Sequence, residues 1–430
     1  MSTVNKSLIA AVVGASLSFV AQVQAENYAI TGATVHTMDA AGSFENGTVF
    51  IKDGKIEKVI DGQASTDGYT VIDASGKVVT PGLIGALTSL GLEEVSMSAG
   101  TVDSRSEARD ISQVGAALDV SYAVNPDSSL INISRIEGIT SAATSMSRTG
   151  QLFGGQGAII TLGDLDVPVI KPRAFVSTSV SGHGADANGG SRASLWVQLE
   201  TALDEVQAAT TQLAGYDKAW HGLLSRSDLK ALKPVLDGNV PLLIEANRAA
   251  DIRQVIGFKQ RNPSLNIALI NATEAWRVAD ALAQANIPVI LDPESNLPYN
   301  FDELGATLEN ASRLEEAGVM VTIGINTHNI RLAKQHAGNA VANGLSWEQG
   351  LAALTINVAK LFGVENTLGS LAPGKRADVV IWSGDPLQVT EAATQVFING
   401  EKIKMESRQS KLRDRYLNLE QPKPMRYVRP

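Results

Sequence analysis

The stretch that most limits what this chain can fold into is Val79-Thr-Pro-Gly-Leu-Ile-Gly-Ala-Leu-Thr-Ser-Leu-Gly-Leu-Glu-Glu94. Pro81-Gly82 marks a turn, Leu83, Ile84 and Leu87 supply an apolar run, and the stretch ends in a polar loop, so it reads as a strand leaving a turn. Two β-rich blocks lie on either side. Before it, Tyr28–Val35, Gly47–Lys52, Lys55–Ile60 and Thr70–Ala74 read as short strands, with Lys52-Asp-Gly-Lys55 a hairpin signal. Near the other end, Leu368–Pro386 reads as turn, strand, turn, and Val396–Ile403 as a further hairpin.

Between the blocks, strand and helix patterns alternate, the pattern of a parallel α/β barrel. Ser194–Val206 puts Leu195, Leu199, Leu203 and Val206 on one helical face. Strands are expected over Val240–Glu245, Leu265–Asn271, Ile287–Leu291 and Val319–Ile325, with helices at Ala249–Gln260 and Thr273–Ala285. Leu345–Phe362 reads as one amphipathic helix opened by a capping box of Ser346 and Gln349. The glycines of Gly154-Gly-Gln-Gly157 suggest a backbone turn.

Val79–Glu94 resembles the strand that opens the barrel in the amidohydrolase superfamily, the metal-dependent hydrolases that include the imidazolonepropionase-like enzymes. Leu368–Pro386 resembles the C-terminal signature of the same family. The resemblance spans roughly residues 26–405 and implies a (β/α)8 TIM-like barrel with a small composite β-sandwich formed by the N- and C-terminal segments. The implied organisation is a signal peptide over 1–25, the N-terminal segment of the sandwich over 26–80 and the barrel over 81–365. The C-terminal segment of the sandwich follows over 366–405, and a C-terminal tail over 406–430.

In this family the activity is hydrolysis of non-peptide carbon–nitrogen bonds, carried by zinc or another divalent ion. The resemblance puts the first two metal ligands at Leu87 and Ser89, further histidines at Glu245, Asn247 and Asn271, and the catalytic aspartate at Asn326. Leucine has no lone pair to offer a cation, and an asparagine amide cannot act as a base. The flanking phrases stay in register, so loss of the standard metal site is the expectation, with no cofactor. His36, His183, His221, His328 and His336 are the five histidines, and none has a tight metal-ligand spacing.

Glu245 is the one strong acid/base type left at such a position. It reads either as a carboxylate in a cleft, raised in pKa for acid/base work, or as the partner of Arg248. His328 reads as a substrate-orienting residue or an ordinary hydrogen-bonding one. Asn247, Arg248, Asn271 and Asn326 are the candidate substrate-binding residues. Glu93, Glu94, Asp103, Glu107 and Asp110 read as an acidic solvated loop, with calcium binding the competing reading. His36 and His336 read as structural, and His183 as belonging to a loop near a pocket mouth.

Composition excludes several other classes. Net charge −9 leaves no basic surface for nucleic acid. Without cysteine there are no disulfides, thiolate metal sites or cysteine nucleophiles. No Gly-x-Ser-x-Gly, dinucleotide fingerprint or phosphate loop occurs. Lys6, the apolar Leu8–Val20 and the small-x-small Val23-Gln-Ala25 read as a secretory signal, which places the chain in the periplasm or otherwise outside the cytoplasm. That apolar run is shorter than the roughly 20 residues of a membrane span. Two readings are left open. One is a hydrolase of amide or cyclic-amide bonds, impaired at its metal site. The other is a non-catalytic barrel that binds a small molecule, pairs with an active relative, or forms a homodimer.

Overall fold

The computed structural model describes residues 26–94, 102–106, 112–147, 149–212, 221–324 and 328–417. Residues 1–25, where the signal peptide is expected, and Glu107, Asp110, Asn326 and the end of the tail lie outside the described residues.

Strands β1 (Tyr28–His36), β2 (Ser43–Lys52), β3 (Lys55–Asp61), β4 (Thr70–Asp73) and β5 (Val78–Pro81) form the first block. Asp53 and Gly54, both at positive φ, make the two-residue turn between β2 and β3. Eight further strands follow: β6 (Leu83–Thr88), β7 (Ile139–Thr144), β8 (Phe153–Thr161), β9 (Val169–Ser179), β10 (Leu242–Glu245), β11 (Ile267–Ile270), β12 (Val289–Leu291) and β13 (Val321–Ile323). The last three, β14 (Val379–Trp382), β15 (Ala393–Ile398) and β16 (Glu401–Lys402), return to the first block. There β14 pairs antiparallel with β5, and hydrogen bonding joins strands from both chain ends into one sheet. Its apolar face holds Ile30, Val49, Val79, Ile381 and Phe397. Trp382 fixes that sheet to the barrel. Its indole N–H donates to Thr80 Oγ1 at 2.9 Å, and its ring fills the space beside Gly138.

Strands β6 to β13 run in order around a nearly closed eight-stranded barrel, a mixed α/β fold. One strand departs from the all-parallel expectation, because β8 is antiparallel to both β7 and β9. The cause is connection length. The links Ser145–Leu152 and Leu162–Pro168 are too short for the dozen or more residues that a parallel crossover needs. The Gly154–Gly157 stretch is therefore strand and not turn, with a bulge at Gly155 (φ +82°). Gly157 is required by packing, since a β-carbon there would lie 2.0 Å from Phe175 Cζ.

The seam between β6 and β13 is sealed by a later piece of chain. Ile84 N donates to Leu354 O at 2.7 Å, and Ile323 N donates to Ala353 O at 3.0 Å. This breaks the single helix expected over Leu345–Phe362 into Trp347–Ala352 and Ile356–Leu361, with Thr355 non-helical at φ −135°, ψ −99°. Ser346 caps the first as expected, accepting from Gln349 N. The reciprocal bond is made by Glu315, which accepts from Ser346 N, so Gln349 does not complete a capping box. The helix expected at Ser194–Val206 extends over Arg192–Gln212, with Leu195, Leu199, Leu203 and Val206 all buried. Among the described residues no helix is long and apolar enough to cross a membrane.

Candidate functional site

The C-terminal ends of the parallel strands open on one face, joined there by the N-terminal end of β8 because Phe153 stands opposite Thr178. Between β7 and β11 on this face is a cavity of about 270 Å³. Its wall includes Met146, Leu152, Ser177, Ser179, Glu245 and Asn271, and His183 stands at its exposed edge. His183 belongs to a short helix, Gly182–Ala187, capped by Ser181, where a loop was expected.

Glu245 ends β10, in register with Ser179 of β9 and Ile270 of β11. Its backbone carbonyl accepts from Val180 N, which fixes the strand end. Its carboxylate accepts from Asn271 Nδ2 at 3.3 Å. Asn271 and the fully buried Ala272 both lie in the left-handed region, at φ +66° and +48°. Such a conformation costs about 1–3 kcal/mol at a non-glycine residue and collects at functional sites. Asn310 holds it in place by donating from Nδ2 to Ala272 O at 3.1 Å.

The alternative ion pair of Glu245 with Arg248 is not formed. Arg248 stands at the N-terminus of helix Ala249–Arg261 and donates to Asp251 at 2.7 Å, because the helix presents that carboxylate three residues on. Asn247 is buried and committed elsewhere. Its Nδ2 donates to Glu303 at 3.0 Å and its Oδ1 accepts from Thr273. Of the substrate-binding candidates, the structure thus brings Asn271 to the cavity wall beside Glu245, and not Asn247 or Arg248.

His328 lies in a second cluster, at the β6/β13 seam. Its Nδ1 is 3.1 Å from Glu93 Oε1, and Ser89 and Ser104 donate to the same carboxylate at 2.7 and 3.0 Å. Glu93 therefore does not belong to a solvated acidic loop, as its sequence context suggested: its side chain is 7 % exposed. Burial pushes the Glu93 carboxyl up, but the donors Ser89, Ser104 and His328 outweigh it and hold the group below its ordinary value. Ser104 O accepts in turn from Ser147 N and Oγ, and Ser147 lines the cavity, so hydrogen bonds link the two clusters. Glu94 is exposed and accepts from Ser129.

Leu87, where the resemblance puts a metal ligand, is 2 % exposed inside an apolar cluster with Ile84, Phe175, Ile270 and Ile290. Among the described residues no three of His, Cys, Asp or Glu form a group that could hold a metal ion. His336, read as structural, sits between Asp292 and Glu294 at 3.1 and 3.5 Å. His36 packs on Trp347 with ring centroids 4.4 Å apart, and burial pushes its imidazole below the ordinary value.

Residues 262–405 match the amidohydrolase family. The crystal structure of an amidohydrolase from Thermotoga maritima MSB8 superposes with a TM-score of 0.77 at 25% identity, over 88% of this chain and 99% of that one. These matches support the amidohydrolase superfamily. Amidohydrolase tasK of Hapsidospora irregularis is 37% identical over 112 residues, 24% of this chain. The imidazolonepropionase of Porphyromonas gingivalis is 28% identical over 137 residues, 30% of this chain. The matched segments span 11% and 31% of those two relatives' own lengths. The amidohydrolase match begins just before β11, so it takes in Asn271 and His328 but not Leu87, Ser89 or Glu245.

Proposed function

We propose that this chain is a ligand-binding member of the amidohydrolase superfamily: an exported barrel that holds a small polar molecule at its C-terminal face and has lost metal-dependent hydrolysis of carbon–nitrogen bonds. One observation carries this reading. Among the described residues, three of the family's ligand positions hold groups that are hydrocarbon or already engaged, Leu87 among apolar side chains, Ser89 with Glu93, and Asn247 between Glu303 and Thr273, which leaves Glu245 as the one carboxylate there. A catalytic zinc needs about three protein donors of nitrogen, sulfur or carboxylate oxygen converging on one point. Among the described residues the donors present do not converge in this way, so they do not fit the ion.

This chain's own residues leave a binding site. Glu245 offers a carboxylate to a hydrogen-bond donor, Asn271 positions that carboxylate, and Met146, Leu152 and Ile270 exclude water from one side. Among the described residues no hydrogen bond joins His183, at the cavity edge, to a serine of the wall, and Ser179 Oγ is bonded to Ser181 Oγ instead, so acyl transfer through serine lacks a paired base.

The test is elemental analysis of the protein purified from the exported fraction. It is paired with turnover and binding assays on acyl-amino acids, dipeptides and cyclic amides, with zinc, manganese or no added metal. The expected result is a small fraction of a metal per chain, binding of some panel members, and no turnover. Near one metal per chain with turnover would overturn the reading and restore the hydrolase. N-terminal sequencing should find the exported chain starting at Glu26. A cytoplasmic chain starting at Met1 would remove export from the proposal.

A further inference from the structure

We propose that the cavity at the barrel mouth takes a small protonated amine on an apolar body, with the nitrogen seated on the Glu245 carboxylate. This rests on the reading of the protein as a ligand-binding barrel. Among the described residues no lysine or arginine lines the cavity, and Glu245 is its one carboxylate. Among the described residues the half-buried Glu245 carboxylate thus meets no counter-cation on the wall, and an arriving ammonium would supply one.

The carboxylate also has capacity to spare. It has about four acceptor sites, and Asn271 fills one of them at 3.3 Å, toward the long end of a hydrogen bond. An ammonium brings three donors and needs further oxygens close by. Ser179, in register with Glu245, and Ser177, two residues back on the same strand, line the same wall, with Ser179 Oγ bonded to Ser181 Oγ and accepting from Ser181 N. A hard metal cation suits the wall poorly, because such an ion takes about six to eight oxygen ligands where one carboxylate is offered.

The rest of the wall sets the body of the ligand. Met146, Leu152 and Ile270 give it hydrocarbon to lie on. At about 270 Å³ the cavity falls just below the range of roughly 300–1,000 Å³ that holds drug-sized molecules, so the ligand is smaller than these.

The test uses the full mature chain and three probes with one body and three charges: 2-phenylethylamine, 2-phenylethanol and phenylacetate. Binding is measured at neutral pH by ligand-observed NMR and calorimetry. The amine should bind at least about tenfold more tightly than the other two, and Glu245→Gln should weaken it about 10- to 100-fold, toward the alcohol, as loss of a charged hydrogen bond does. N-acetyl-2-phenylethylamine, which carries no charge, should lose the same factor on the unmodified protein, so the test stands even where the variant fails to fold. Equal binding of alcohol or acid, or an amine indifferent to Glu245→Gln, would overturn the amine assignment and leave the ligand-binding barrel standing. Absence of binding by these probes and by the wider amide panel would overturn both.

Discussion

Leu87→His puts an imidazole back where the resemblance has a metal ligand, and the structure says what that should cost. Leu87 is 2 % exposed and belongs to a buried apolar cluster with Ile84, Phe175, Ile270 and Ile290, none of which offers a hydrogen-bond partner. Removing a buried leucine from this layer gives up about 1.5–3 kcal/mol of burial. An imidazole in its place leaves polar nitrogens unpaired, at a further cost of about 1–3 kcal/mol in proteins. Together these predict a destabilisation of roughly 2.5–6 kcal/mol, against under about 1.5 kcal/mol for the volume-conserving Leu87→Met. The assay is the urea midpoint of the variants at unchanged slope, with and without zinc. A metal bound at 100 times its Kd would return about 2.7 kcal/mol. The reasoning fails if Leu87→His is as stable as Leu87→Met, or if zinc restores its midpoint, since either would mean that polar donors reach this layer.

Three further outcomes follow from the described contacts. Glu93 has a folded pKa below its ordinary 4.5, so its contribution is complete above that pH and is lost as pH falls through the lowered value. The melting-temperature advantage of the unmodified protein over Glu93→Gln should therefore be full above pH 4.5 and shrink on acidification, and a constant gap from pH 6 to 3 would contradict the assignment. Gly157→Ala should destabilise by about 1–3 kcal/mol through overpacking against Phe175, and Gly157→Ala with Phe175→Leu should recover some of it; strict additivity of the two would count against that contact. Glu303→Ala leaves the donors of Asn247, Tyr299 and Asn300 without their acceptor, so amide exchange around Tyr299 should accelerate while β10 and β11 stay protected; uniform acceleration would point to global destabilisation instead.

What the sequence revealed and what it hid divide along the distance between partners. The buried stripe of Arg192–Gln212 and the turns at Asp53-Gly54 and Asn399-Gly400 are local, so periodicity and turn chemistry expose them. The reversal of β8 was also written in the chain, in the two short links on either side of it. The break at Thr355 was not, because Ala353 and Leu354 turn their carbonyls to strands far back in the sequence while the apolar pattern runs on unbroken. That Glu245 and Asn271 meet on the cavity wall follows from each standing at a strand end with a recognisable phrase. Glu93 was missed because the groups that bury it, Ser104 and His328, are 11 and 235 positions away. The partners of Asn247 and Arg248 were hidden for a related reason. Their partners, Glu303 and Asp251, are set by how a loop and a helix dock, and spacing along the strand does not encode that.

The carbonyls of Ala353 and Leu354 that close the barrel also set an order of assembly. During synthesis β6 emerges first and β13 last, yet neither edge at the seam gains these acceptors until about 30 residues beyond β13 have followed. The end sheet waits longer still, since β5, paired early with β1, lacks its second neighbour until β14 appears about 300 residues later. Contacts of such long sequence separation slow folding. A growing chain of this kind stays open at both seams until nearly all of it is made, so a truncation near residue 350 should remove stability from the first strands as surely as from the last.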